Sequence, residues 1–126
     1  MMNFTFFTPT KLLFGRGKLN ELGQQKMPGK KALLLISCGK SVRTNGALDR
    51  TLGQLKQAGV PAAVFDRIME NPVKPVIMEG AAFARENHCD FLVALGGGAV
   101  LDASTAIAAM AANPGDLWDY VVGGTG

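Results

Sequence analysis

Three consecutive glycines, Gly96-Gly97-Gly98, join an apolar run to a long stretch of small residues, within ALGGGAVLDASTAIAAM. A corner without Cβ atoms lets a large anion touch the main chain. A helix beginning near Ala99 points free N–H groups and its positive dipole end over that corner. A pyrophosphate could be held there by backbone donors alone, including the amide of Ala99. The spacing departs from the usual dinucleotide fingerprint, because G-x-G-x-x-G needs glycine where Leu101 stands. No Lys-Ser/Thr pair follows, so it is no P-loop either. On spacing alone, phosphate binding and a plain tight turn both stay open. Asp102, in the first turn of the expected helix, either interacts with the helix dipole or accepts a hydrogen bond at the floor of a site.

A second group is Ser37-Cys38-Gly39-Lys40-Ser41, at the end of an apolar run. In dinucleotide folds an acidic residue at such a place binds the ribose hydroxyls and repels a 2′-phosphate. Uncharged Cys38 stands there. Gly39, Lys40 and Ser41 add a backbone donor, a cation and a hydroxyl, a set that favours NADP over NAD. An ordinary basic turn is the alternative. Asn71 precedes Pro72, a common turn-forming pair. His88 is the only histidine, so a metal site built from several histidines does not fit within these 126 residues. Its place between a helix and a strand suggests capping or exposure, not catalysis.

The elements that position these groups follow from patterning. Lys11–Phe14 reads as a first short strand and Lys18–Lys26 as a helix. Lys31–Ser37 is a continuous apolar run of the kind covered on both faces in parallel sheets. Asn45 can cap a helix reaching Ala58, with Leu48, Leu52 and Leu55 in one stripe. Gly59 stops it. Pro61–Phe65 reads as a strand, Val76–Glu86 as a helix, and Asp90–Leu95 as the fourth strand. Ala99–Ala112 is apolar on nearly every side, so a fully buried helix is expected. A short helical piece is expected around Asp116–Tyr120, with Trp118 and Tyr120 packing against the domain. The strands at Leu33, Ala62 and Leu92 recur at the spacing of a βαβ unit. The expected fold is α/β, a Rossmann-like parallel sheet with helices on both faces. Its ligands bind beyond the carboxyl ends of the strands. Ser37–Ser41, Asp66–Asn71 and Gly96–Ala99 all lie at that edge.

Composition sets bounds. The length suits one domain. The net charge of +3 comes from scattered Lys and Arg, densest at Lys30-Lys31 and at Lys40 with Arg43. No aromatic residues are interleaved with them, which argues against a nucleic-acid partner. No apolar run is long enough for a membrane span. The opening MMNFTFFTPTKLLFG lacks the form of a signal peptide. Two isolated cysteines, Cys38 and Cys89, suggest no disulfide framework and fit a reducing cytoplasm.

Taken in order, FFTPTKLLFGRGKLNEL, KALLLIS with its Gly-Lys-Ser turn, NGALDRTL, Glu70-Asn71-Pro72 and LGGGAVLDASTAIA resemble the iron-containing (group III, metal-dependent) alcohol dehydrogenases. The likeness runs from about Phe4 to Tyr120 and is strongest to the butanol-dehydrogenase-like branch. It implies that residues 1–126 form the N-terminal nucleotide-binding domain. It implies cofactor contacts at Gly39, Ser41, Asn71, Gly97, Gly98 and Asp102, with NADP, or NAD, as cofactor. Family members carry a second, helical domain that holds Fe or Zn through one aspartate and three histidines. They pass hydride between nicotinamide and a small alcohol or aldehyde, and are commonly dimers or larger. The resemblance implies no metal ligand here, so metal is expected only in the full-length enzyme and this piece is expected to be inactive alone. Two residues depart from the family: Ala99 replaces a common serine and Thr105 a common lysine. A stand-alone module for a nucleotide or sugar phosphate, and an assembly domain with a degenerate pocket, are the competing readings.

Overall fold

The computed structural model describes residues 2–70 and 73–117. Its elements are a 3-10 helix Lys18–Gln24, β1 Ala32–Ser37, α1 Ser41–Thr44, α2 Ala47–Gln57, β2 Ala62–Ile68, α3 Lys74–Glu86, β3 Phe91–Ala94 and α4 Gly98–Ala112. The three strands form a parallel sheet in the order β2-β1-β3. The expected α/β architecture is therefore present, with β1 at the centre.

The unbroken run in β1 is explained by two cores. Leu33 and Leu35 face one side, where they meet Phe65 and Ile68 of β2 and buried residues of α3 and α4. Leu34 and Ile36 face the other, against Val42 and Leu48 of α1 and α2. Ala32 joins Leu55 and Phe91 lower on that same side. A central strand has no solvent face, so alternation has nothing to record.

Two helix ends share one geometry. After α2, Gly59 is left-handed at φ 74°. Its N–H donates to the Lys56 carbonyl, and Val60 N–H donates to that of Leu55. After α3, His88 takes the left-handed place at φ 56°. It donates to the Arg85 carbonyl while Cys89 N–H reaches Ala84. Both are Schellman closures. His88 is thus a helix terminator.

Three expectations are corrected. Lys11–Phe14 is not a strand: Leu12 is 80% and Phe14 88% exposed, and residues 2–14 carry no strand pairing. A short apolar run makes a strand only where a sheet edge accepts it. The glycine turn accordingly follows the third strand and not the fourth. Finally, α4 is buried on one side only. Val100, Ala103, Ile107 and Met110 lie inside, whereas Leu101 is 50% exposed. Its alanines gave no periodicity by which to tell the two sides apart. Of the expected piece Asp116–Tyr120, only Asp116 and Leu117 are described; Trp118 and Tyr120 lie outside the described residues.

The amino edge of the sheet is stapled by Asp90. Its carboxylate accepts Lys30 N–H at 3.0 and 2.9 Å and Lys31 N–H at 2.9 Å. These bonds to the ionised form, Lys30 first, hold the Asp90 carboxyl below its ordinary value. A folded value below the unfolded one means that the contribution is complete above about pH 4. It is lost as acid carries the pH down through the folded value. Urea titrations at pH 6 and pH 3 check this. The wild-type midpoint falls with acid, and Asp90→Asn lowers the pH 6 midpoint and flattens the step.

Candidate nucleotide site

Three turns meet at the carboxyl edge. Ala94, Leu35 and Phe65 stand level across the sheet. Above them, Leu95 N–H donates to the Leu35 carbonyl at 2.9 Å and Cys38 N–H to the Ile68 carbonyl at 2.8 Å. The helices that follow β1 pack on one face and those that follow β2 and β3 on the other. Neighbouring strands whose chains leave in opposite directions open a crevice between their ends, which is where doubly wound sheets bind ligands. By that rule the crevice is expected between the Cys38–Ser41 turn and the glycine turn.

The three glycines have different roles. Gly96 is structural: its φ is 157°, and a Cβ there would meet Val100 Cγ2 at 2.8 Å. Gly97 and Gly98 differ, because a Cβ on either would meet no atom of the described residues within 4 Å. Packing among the described residues does not require their missing side chains. Gly97 is the N-cap of α4, in extended conformation at φ −83° and ψ −167°, and no side chain caps that end. Its carbonyl takes the Val100 and Leu101 amides, both at 3.1 Å. The Gly98 and Ala99 amides, earlier in the first turn, have no intrahelical acceptor. Replacing serine by Ala99 removes a hydroxyl and leaves this amide.

On the other wall, Cys38, Gly39, Lys40 and Ser41 are all exposed. The Cys38 amide is engaged by β2, as described above. The Lys40 carbonyl accepts Thr44 N–H at 2.9 Å and Thr44 Oγ1 at 3.0 Å, which fixes the start of α1. The Lys40 ammonium forms no ion pair among the described residues. Asp102 is exposed one turn into α4 and lines a shallow groove of about 250 Å³ with Ile77, Ala103, Ala106 and Leu117. Thr105 is exposed three residues further along, its hydroxyl 3.3 Å from the Leu101 carbonyl. Asn71 lies outside the described residues.

The sequence pattern did not reveal a charged pair beside this wall. Arg43 Nη2 of α1 lies 2.7 Å from Asp66 Oδ2 of β2. Arg43 stood out only as part of a basic spot, and Asp66 only as an edge residue. No spacing rule links positions on two separate elements.

A cavity of about 390 Å³ is lined by residues including Cys89, Asp90, Phe91 and Ala112, at the opposite, amino edge. It is remote from the free amides. Burial raises the Cys89 thiol above its ordinary value, which favours its neutral form. Among the described residues no group of three His, Cys, Asp or Glu could hold a metal ion. What these turns offer a ligand is main-chain donors at the start of α4, with no cluster of metal-binding side chains among the described residues. None of the described helices is long and apolar enough to cross a membrane.

Residues 9–126 match the family model for iron-containing alcohol dehydrogenase. The chain is 40% identical over 121 residues to a probable NADH-dependent butanol dehydrogenase 1 of Bacillus subtilis, an alignment covering 96% of this chain and 31% of that protein. It is 38% identical over 117 residues to the NADPH-dependent aldehyde reductase YqhD of Escherichia coli, covering 93% of this chain and 30% of the reductase. The crystal structure of NADH-dependent butanol dehydrogenase A from Thermotoga maritima superposes with a TM-score of 0.87 at 34% identity. That match covers 98% of this chain and 31% of the other. The chain thus spans about a third of the length of the relatives it matches.

Proposed function

The chain belongs to the iron-containing alcohol dehydrogenase family, and from that premise we propose that residues 1–126 are the nucleotide-binding domain of an NAD(P)H-dependent alcohol dehydrogenase or aldehyde reductase. The observation that carries this reading is the space that no described residue fills above Gly97 and Gly98, at the uncapped start of α4. A pyrophosphate fits there against the Gly98 and Ala99 amides, and the helix dipole favours its charge. The adenosine half crosses towards Cys38–Ser41. Lys40 and Ser41 meet the ribose and any 2′-phosphate, and uncharged Cys38 does not repel one. Asp102, and Asn71 from beyond β2, complete the contacts.

When bound, the cofactor supplies hydride exchange with a small alcohol or aldehyde. The residues of this chain hold and orient the nucleotide. Metal polarisation of the substrate is assigned to the remainder of the full-length enzyme, so no step is routed through a metal here. The site belongs in the cytoplasm with a soluble substrate, within an enzyme that self-associates.

Calorimetric titration of the chain with NADP⁺, NAD⁺ and a sugar phosphate tests the reading. Dinucleotide binding without turnover of butyraldehyde and NADPH, with or without added Fe²⁺ or Zn²⁺, is expected. Turnover by these 126 residues would refute the division of labour. Binding of the sugar phosphate alone would favour a non-catalytic module.

A further inference from the structure

We infer that Asp66 is a specificity-determining residue: it occupies Arg43, and so weakens the chain's hold on a 2′-phosphorylated dinucleotide. The inference rests on the nucleotide reading of the site and deepens it.

The glycine turn leaves β3, Cys38–Ser41 leaves β1, and Asp66 follows Phe65 in β2 at the same level of the sheet. Two strand spacings separate the glycine turn from Asp66, roughly 10 Å. That span suits the nucleoside half of a dinucleotide whose pyrophosphate sits at Gly98. Arg43 and Asp66 therefore stand where a group on the ribose 2′ position arrives, beside Lys40 and Ser41.

The local backbone supports this. Between the pairs Leu35–Phe65 and Ser37–Ile68, β1 has one residue, Ile36, and β2 has two, Asp66 and Arg67. The extra residue is a β-bulge, a device that re-aims side chains at sheet edges. Asp66 turns to Arg43 of α1 on one face, while Arg67 pairs with Glu79 of α3 on the other.

The pair adds little to the fold. The side chains of Arg43 and Asp66 are 47% and 51% exposed, and ion pairs so placed contribute weakly to stability. For ligand binding the same charges matter more. A phosphate dianion takes a guanidinium in a fork of two charge-assisted bonds. Here the guanidinium is already held, and the carboxylate that holds it repels the incoming dianion. Among the described residues Lys40 is a cation of this wall without an ion pair.

The test is the ratio of dissociation constants for NAD⁺ and NADP⁺ in the wild type, Asp66→Asn, Asp66→Glu and the double variant Arg43→Gln/Asp66→Asn. Asp66→Asn frees Arg43, and the ratio moves roughly tenfold towards NADP⁺, the order of one gained charge-assisted bond. Asp66→Glu keeps the wild-type preference, and the double variant loses the gain. Thermal melting of each variant checks that the fold is retained. An unchanged ratio in folded Asp66→Asn, with the wild type still binding dinucleotides, overturns this inference and leaves the nucleotide site standing. A shift that survives loss of Arg43 also overturns it. Failure of the wild type to bind either dinucleotide removes the nucleotide site, and this inference with it.

Discussion

Gly97→Val weakens dinucleotide binding by roughly a hundredfold while the melting temperature stays within a few degrees of wild type. The backbone at Gly97 is extended, which any residue adopts, and a Cβ meets no atom of the described residues within 4 Å. The described fold therefore leaves room for a side chain to begin here. The ligand does not, because the branched side chain fills the space in which a diphosphate would touch the Gly98 and Ala99 amides. Losing one or two hydrogen bonds to a charged group costs about 1.5–3 kcal/mol each, which is one to several decades of affinity. Gly96→Ala supplies the contrast. There the positive φ and the 2.8 Å approach to Val100 act on the protein itself, at about 1–3 kcal/mol of stability. Isothermal titration and thermal melting on both variants separate the two roles. Equal loss of stability in both would show that the glycines serve only the turn.

Ile107→Ala lowers stability by about 2–5 kcal/mol, the range for emptying a buried aliphatic site. Ile107 is fully buried in the core between the sheet and the α3–α4 pair. Its Cδ1 lies 2.7 Å from where a Cβ on Gly80 would stand, and Phe65 closes the same spot from β2. Gly80 thus lets α3 come close enough for one isoleucine to fill the gap. Domains are stable by only about 5–15 kcal/mol, so this loss is large. A melting temperature lowered by about 10–20 °C is expected for a chain of this size. Denaturant titration gives the free energy directly. A change below about 1 kcal/mol would mean that the core collapses around the truncated residue.

The parts legible in the sequence were those carried by local chemistry or by burial on both faces. Lys31–Ser37 announced a strand covered on both faces because its inner residues, Ala32–Ile36, are all apolar. Gly59 announced a helix end because its left-handed conformation suits glycine. His88 fills the same conformation after α3 and gave no such sign. Ser37–Ser41 and Gly96–Ala99 could be assigned to one edge because parallel strands leave no other choice. What could not be read depends on pairs distant in the chain. Asp90 is an ordinary acidic residue until Lys30 and Lys31 are placed above it. Asp66 meets Arg43 only after a bulge that no residue type encodes. Lys11–Phe14 has the composition of a strand, but pairing requires a neighbour as well as a propensity. The difference between Gly96 and its two successors is a matter of ångströms from Val100, and three identical letters conceal it.

The strand order sets the sequence of events during synthesis. The middle strand meets its first neighbour after one short crossover, but the Asp90 staple joins it to the other across 60 residues. A ribosome making this chain releases the first βαβ unit well before its second neighbour is available. Until then one greasy surface, bearing Leu33, Leu35 and Phe65, waits for helices still untranslated. Closing so long a loop is slow compared with forming the local crossover. Exposed apolar surface of this kind makes nascent copies most prone to clumping in that interval.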